Sequence, residues 1–424
     1  MNSVYNAASI WPVCLLLVSL SAAASNGDEV TQASGERVSS QWAASTFGDD
    51  VDFLRKHTDV IVLSDEKGAA QVALVPAWQG RVMTSSAENL SGRSLGWVNR
   101  ALIASGKRMS HINAFGGEDR LWLGPEGGQF SIFFAKGAPF EYTHWFVPEA
   151  LDTRPFRTVY QSRTGAQFRA QFSLENHAGT SFQVAVVRDV HLLPRDRACR
   201  ELGITPCANV AVVAYESNNT LMNAGKAAWH KESGLLSIWI LGMFPPSPLS
   251  TIVIPIKRGS DRDLGSKVTS NYFGVIPPNR LKVTDNTIFL RGDGRLRSKV
   301  GVNPKRSLAV LGSYDAESRV LTIVKFSQPI GAGDYVNSQW KLQDDPYGGD
   351  VINSYNDGPP APGISPLGPF IEMESSSPAV ALAPGERINH THRTFHLTGL
   401  ESQLDSVARS VLGVPLMEVK TALD

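Results

Sequence analysis

Glu372 and Glu374 stand two residues apart in the stretch FIEMESSSPAVALAPGE, residues 370–386. In a strand they project from one face while Ile371 and Met373 pack on the other. Two carboxylates side by side repel, which pushes one toward the neutral form and suits it to exchange protons near neutral pH. Glu374, nearer the loop Ser375 to Pro378, is the expected base. A solvated polar strand face has the same spacing. The second chemical stretch is His111 to Phe134, HINAFGGEDRLWLGPEGGQFSIFF. It gathers His111, Asn113, Glu118, Arg120, Trp122 and Glu126 around two Gly-Gly pairs. His111 is the expected partner acid, and Arg120 can hold a hydroxyl or a carboxylate through two hydrogen bonds. The glycines are read as places where backbone comes close to a ligand.

Two further stretches carry ligand-binding chemistry. In SLGWVNR, residues 94–100, Asn99 and Arg100 can donate hydrogen bonds to hydroxyls and Trp97 can offer a face to a sugar ring. In NSQWKLQDDPYGGDVINSYNDG, Trp340, Tyr347, Asp350, Asn353, Tyr355, Asn356 and Asp357 mix planar and short polar side chains. Saccharides combine apolar C–H faces with many hydroxyls and want such a mixture, although Asn, Asp and Gly also build turns. His390, His392 and His396 share one strand face; zinc sites use such spacing, but a polar outer face is the expected reading and no metal site is assigned. No Ser-His-Asp signature, phosphate loop or nucleotide fingerprint is present, so no cofactor is expected.

The elements that must position these residues are strands. DVIVL, AQVALVP, SFQVAVVRDVHLL (181–193), NVAVVAY (209–215), LLSIWIL (235–241), TIVIPI (251–256), LAVLGSY (308–314), RVLTIVKF (319–326) and HTHRTFHL (390–397) are rich in Val, Ile or aromatics and bounded by turn formers. Few intervening segments are long enough for crossover helices, which disfavours a parallel sheet and points to a large all-β antiparallel sandwich. Phe47, Val51 and Leu54 predict a short N-terminal helix. Leu400, Leu404, Val407, Val411 and Leu412 predict a C-terminal amphipathic helix lying on the sandwich.

Lys+Arg 40 against Asp+Glu 40 leaves no electrostatic footprint for nucleic acid or an anionic membrane. Ile10 to Ser21 is an apolar run too short to span a bilayer, followed by Ala22-Ala23-Ala24. It reads as a signal peptide over residues 1–24, with a signal anchor as the alternative, then a disordered leader over 25–45 and one domain over 46–424. An exported, periplasmic or extracellular protein with no membrane span after cleavage is the expectation. In that compartment Cys199 and Cys207 are expected to form a disulfide worth about 2–3 kcal/mol.

SLGWVNRALI followed by HINAFGG resembles the N-terminal half of galactose mutarotase-like proteins. FIEMESSSPAVALAPGERINHTHRTFHL resembles their C-terminal strand pair, with its sugar-facing Glu. HINAFGGEDRLWLGPEGGQF, ILGMFPPSP and NSYNDGP resemble an uncharacterised secreted bacterial family of that superfamily, over roughly residues 45 to 400. The resemblance implies a β-supersandwich with a saccharide site on its concave face. True aldose 1-epimerases carry a second histidine where this chain has NSYNDG, and His111 stands several residues before Gly116-Gly117. An epimerase-like isomerase, a polysaccharide lyase-like enzyme and a noncatalytic saccharide-binding module all remain open, because one fold hosts all three.

Overall fold

The structure is a computed structural model that describes residues 45–204, 210–331, 333–360 and 363–424. The signal segment and the leader, Ser45 apart, lie outside the described residues, as does Cys207. Cys199 is disulfide-bonded.

Helix α1 (Phe47–Arg55) opens with a capping box in which Thr46 and Asp49 satisfy each other's backbone N–H. It buries Phe47, Val51 and Leu54, the residues whose spacing predicts it. Strands β1 (Ile61–Ser64), β2 (Gln71–Val75) and β3 (Arg81–Ser86) follow as a three-stranded sheet, then α2 (Arg100–Ser105) and β4 (Arg120–Gly124). The middle of the chain runs α3 (Glu149–Asp152), β5 (Arg157–Gln161), β6 (Gly165–Glu175), β7 (Ser181–Leu192), α4 (Arg195–Glu201), β8 (Val210–Asn223) and β9 (Ser237–Phe244). Next come β10 (Ser250–Pro255), α5 (Asp261–Leu264), β11 (Leu281–Val283), β12 (Thr287–Arg291), β13 (Ser298–Val302), β14 (Val310–Asp315) and β15 (Val320–Phe326). The chain closes with β16 (Ile352–Asn356), β17 (Ile371–Ser376), β18 (Arg387–Gly399), α6 (Glu401–Leu412) and α7 (Leu416–Thr421).

Ten strands form the large sheet, in the order β11-β12-β10-β14-β15-β18-β8-β7-β6-β5, and five form the smaller one, β13-β16-β17-β9-β4. Every pairing in these two sheets is antiparallel. Alternation along each strand divides the side chains. Val300, Ile352, Ile371 and Met373 of the five-stranded sheet pack with Ile252, Ile254, Leu311 and Val324 of the large one. Leu404, Val407 and Leu412 of α6 cover Val212, Leu321 and Phe395 on the other side of the large sheet. The expected C-terminal helix therefore lies where its stripe can be buried.

The apolar run Phe130 to Phe134 is not a strand. Ile132, Phe133 and Phe134 are buried as irregular chain in the core, so hydrophobicity there reports packing and not secondary structure. The Gly-Gly pairs bring backbone close to protein. Gly116 has φ +99°, and a Cβ there would collide with the Trp97 carbonyl; a Cβ on Gly127 would meet Gln339.

Candidate functional site

The five-stranded sheet turns its second face away from the sandwich core, and that face carries charge. Register places Arg120, Leu241, Glu374 and Asn353 in one row across β4, β9, β17 and β16. The next row holds Met243, Glu372, Tyr355 and Lys299, and a third sets Trp122 beside Trp239. Directly opposed antiparallel residues share a face, so both carboxylates, Arg120, Trp122 and Lys299 converge.

Glu374 is fully buried. Its Oε2 accepts the indole N–H of Trp239 at 2.9 Å and the Lys299 ammonium at 3.3 Å. Its Oε1 has no hydrogen-bond partner among the described residues. Arg120 donates to Glu372 Oε1 at 2.8 Å and lies over the Trp122 ring, 4.2 Å from its centroid. Lys299 likewise sits 4.8 Å from the Trp239 centroid. Burial pushes Glu372 up to about 8; Arg120 pulls it down and Glu374 pushes it further up. Burial also raises Glu126, which Lys299 and an N–H of Trp340 pull back and Glu374 raises again. Despite burial, Glu374, Glu126 and Glu372 hold Lys299 above the ordinary lysine range. Asp350, half-buried and accepting from the Tyr272 hydroxyl at 2.7 Å, is raised to about 6 by desolvation.

Aromatic rings wall this face. Trp122 meets Trp239 edge-on at 5.5 Å, and Trp145 stacks on Trp340 at 5.7 Å and on Phe133 at 6.1 Å. Besides Glu374 Oε1, the buried atoms Arg120 Nε, Trp122 Nε1, Trp145 Nε1 and Ser237 Oγ lack partners among the described residues. Buried polar groups are seldom left so. A crevice lined by Ser237, Trp239, Tyr272, Asp350, Asn353 and Ser376 lies beside the pair, with room for about one water.

The other expected residues have different commitments. His111 is layered between Tyr142 and Phe146, at 4.7 and 4.5 Å, with Nδ1 2.6 Å from the Trp145 carbonyl oxygen. Asn99 caps α2 by accepting from the Leu102 N–H, and Arg100 is paired with Asp50 at 2.6 Å. Asn113 donates to Asp152 at 2.7 Å. Asn356 accepts from the Gly294 N–H and donates to the Leu296 carbonyl, pinning the loop before β13. Glu118 accepts from Ser85 and lies 3.1 Å from His396 of the large sheet, inside the sandwich. The three histidines are not on an outer face: His390, His392 and His396 are all buried. Ser375 Oγ bridges His390 Nε2 and His392 Nδ1 at 2.7 and 2.8 Å. Among the described residues no cluster of His, Cys, Asp or Glu is placed to hold a metal ion.

Residues 45–423 match the family of unknown function DUF6786. The chain belongs to this family. No curated protein matches it in sequence. Its fold is similar to that of a protein from Escherichia coli K12 provisionally assigned as an aldose 1-epimerase, at 11% identity and TM-score 0.47, covering 81% of this chain and 99% of that one. It is likewise similar to a galactose mutarotase-like protein from Lactobacillus casei ATCC 334, at 12% identity and TM-score 0.46, covering 80% and 100%. The DUF6786 chain is a large antiparallel β-sandwich, the class its strand pattern predicts.

Lys299, Trp239, Trp145 and Tyr272 escape the sequence reading of this DUF6786 member. Trp239 was within reach, since it alternates with Ile238 and Ile240 in a strand whose apolar faces differ. Lys299 sits in the five-residue strand β13, too short to show a period. Its partners Glu126 and Glu374 are far away in the chain.

Proposed function

We propose that this protein binds a saccharide on the charged face of the five-stranded sheet and carries out acid–base chemistry at the sugar ring, in the manner of an epimerase. The observation that carries this reading is the meeting of Glu372 and Glu374 with Trp122, Trp145 and Trp239 around buried polar atoms that lack partners. Unpaired indole N–H and carboxylate groups suit hydroxyls. Glu374, held by Trp239 and Lys299, takes the proton of the anomeric hydroxyl. Glu372, which keeps its proton near neutral pH, gives it to the ring oxygen as the C1–O5 bond breaks. Reclosure on the other face of the carbonyl reverses both transfers.

We also propose that the protein is exported, with the segment before Ser25 removed; a mature chain beginning at Met1 in the extracytoplasmic fraction would refute that. A saccharide array and thermal-shift screen of the mature protein tests the ligand class. Ring opening of a bound sugar is then followed by anomer exchange in NMR. Binding without exchange would leave a saccharide-binding module, and no binding would remove the reading altogether.

A further inference from the structure

The charged face is covered. Its crevice has room for about one water, far less than a pyranose ring needs, so a sugar enters only if a covering segment moves. Two segments border the crevice. Residues 337–343 are fastened: the Gln343 backbone N–H donates to Gln129, its side chain donates to the Asn337 and Gln339 carbonyls, and Gln129 donates back to the Gln343 carbonyl. Residues 271–276, NYFGVI, are held otherwise. They form no helix or strand, and among the described residues their backbone makes no hydrogen bond to other backbone. Only the feet of this arch are fixed. Thr269 exchanges two backbone hydrogen bonds with Gly301 of β13, and Val268 and Ile276 pack on the core between the sheets. Between them Asn271, Phe273, Gly274 and Val275 are exposed, and Gly274 turns the chain at φ +100° with open space beside it.

Side chains alone tie the tip down. The Tyr272 hydroxyl donates to Asp350 at 2.7 Å and accepts from Asn353 at 3.1 Å. Asn271 accepts from Gln339 at 3.1 Å, and the Arg297 guanidinium lies 3.7 Å from the Phe273 centroid. Beneath the tip is Lys299, the partner of Glu374, whose ammonium lies 4.8 Å from the Trp239 centroid and 5.7 Å from that of Tyr272. Resting on the saccharide reading above, we infer that residues 271–276 are a lid that swings between Thr269 and Ile276 and uncovers Lys299, Asn353 and the crevice. Opening breaks the ties of Asn271, Tyr272 and Phe273 and leaves both sheets and the Lys299–Glu374 pair intact. A segment with so few buried contacts opens far below the cost of global unfolding.

The lid is tested without a ligand. The lysines of the mature protein are acylated with an N-hydroxysuccinimide ester, and Lys299 is followed by peptide mass spectrometry against exposed Lys305. Lys299 should react at a rate that low denaturant barely changes, the sign of a local opening. Tyr272→Phe keeps the covering ring and loses its tie, and should speed the reaction about threefold or more. Joining Asn271→Cys to Gln339→Cys with a short bismaleimide should slow it about tenfold or more. Lys299 reacting only as fast as the whole protein unfolds, or indifferent to both changes, would overturn the lid. Methyl glucoside and methyl galactoside are then titrated into the double-cysteine protein before and after cross-linking. The cross-link should weaken whichever binds by about tenfold or more. Equal binding before and after would overturn the lid as the sugar's route and leave the saccharide reading standing. Binding of neither would count against the saccharide reading, while the Lys299 rates still decide the lid.

Discussion

Arg120 and Glu372 are paired at 2.8 Å, both buried, from strands that stand 252 residues apart in the chain. Strand β9 lies between β4 and β17 in register, so the pair ties the edge strand β4 to the middle of the five-stranded sheet. Removing one member of a buried pair strands the other charge. Arg120→Met should lower unfolding free energy by about 3–5 kcal/mol above pH 8, where Glu372 is ionised. Below that pH the glutamate takes a proton and the loss should shrink. Arg120→Met with Glu372→Leu should recover most of it. Denaturant melts of the three variants at pH 6 and pH 9 check this.

Much of the fold is legible in the sequence because strand periodicity is a local signal. β7, β14, β15 and β18 begin and end within a few residues of runs rich in Val, Ile and aromatics, whereas β8 continues eight residues past its run, to Asn223. The pair Glu372 and Glu374 is legible for the same reason, since period two alone puts them on one face. The rest of the site depends on pairings between distant segments. Asn99 and Arg100 are good donors by type, yet an N-cap and an ion pair with Asp50 consume them. Lys299 is unremarkable by type and becomes part of the site only because β13 lies two strands from β17. The histidine stripe is readable as a stripe, but which face of β18 meets the other sheet is set by tertiary packing.

Gly116 predicts a stability effect away from the charged face. Its φ of +99° is unfavourable for any side chain, and a Cβ would run into the Trp97 backbone. The Trp97 carbonyl also accepts the Gly117 N–H at 2.9 Å, so it has little freedom to move. Gly116→Ala should cost roughly 1–3 kcal/mol from backbone strain, and more from the overlap. By contrast Gly106, with φ +61° and nothing within 4 Å of a built Cβ, should lose only the strain component on the same change. Paired thermal melts distinguish the two.

His390 and His392 make the fold acid-sensitive. Burial lowers them to about 3 and about 4 from the ordinary 6.5. The unfolded chain therefore binds protons below pH 6.5 that the folded chain refuses, and stability falls as pH drops from 6.5 toward 4. Together the two histidines account for about 2.7 kcal/mol per pH unit in that window. Glu372, Asp350 and Asp357, raised by burial, act in the opposite direction, so the histidine contribution is read as a difference. Replacing both histidines with Asn should flatten the acid side of a plot of Tm against pH. An unchanged slope would show that the pair does not titrate with unfolding.

Glu374→Gln tests the proposed chemistry at one atom. The amide keeps the side chain's size and can still accept the Trp239 N–H, so the ring walls and the crevice should stay in place. What disappears is the base, and with it the negative charge that holds Lys299. A sugar that depends mainly on the indoles should still bind, while its anomer exchange falls about a hundredfold or more. Glu372→Gln should lower exchange as well, for a different reason: the neutral amide cannot donate a proton to the ring oxygen. In the unaltered protein, exchange should decline as pH rises past about 8, where Glu372 gives up its proton. The Glu372→Gln variant should lack that decline. Full exchange by both variants on a sugar that the protein turns over would remove these two residues from the chemistry.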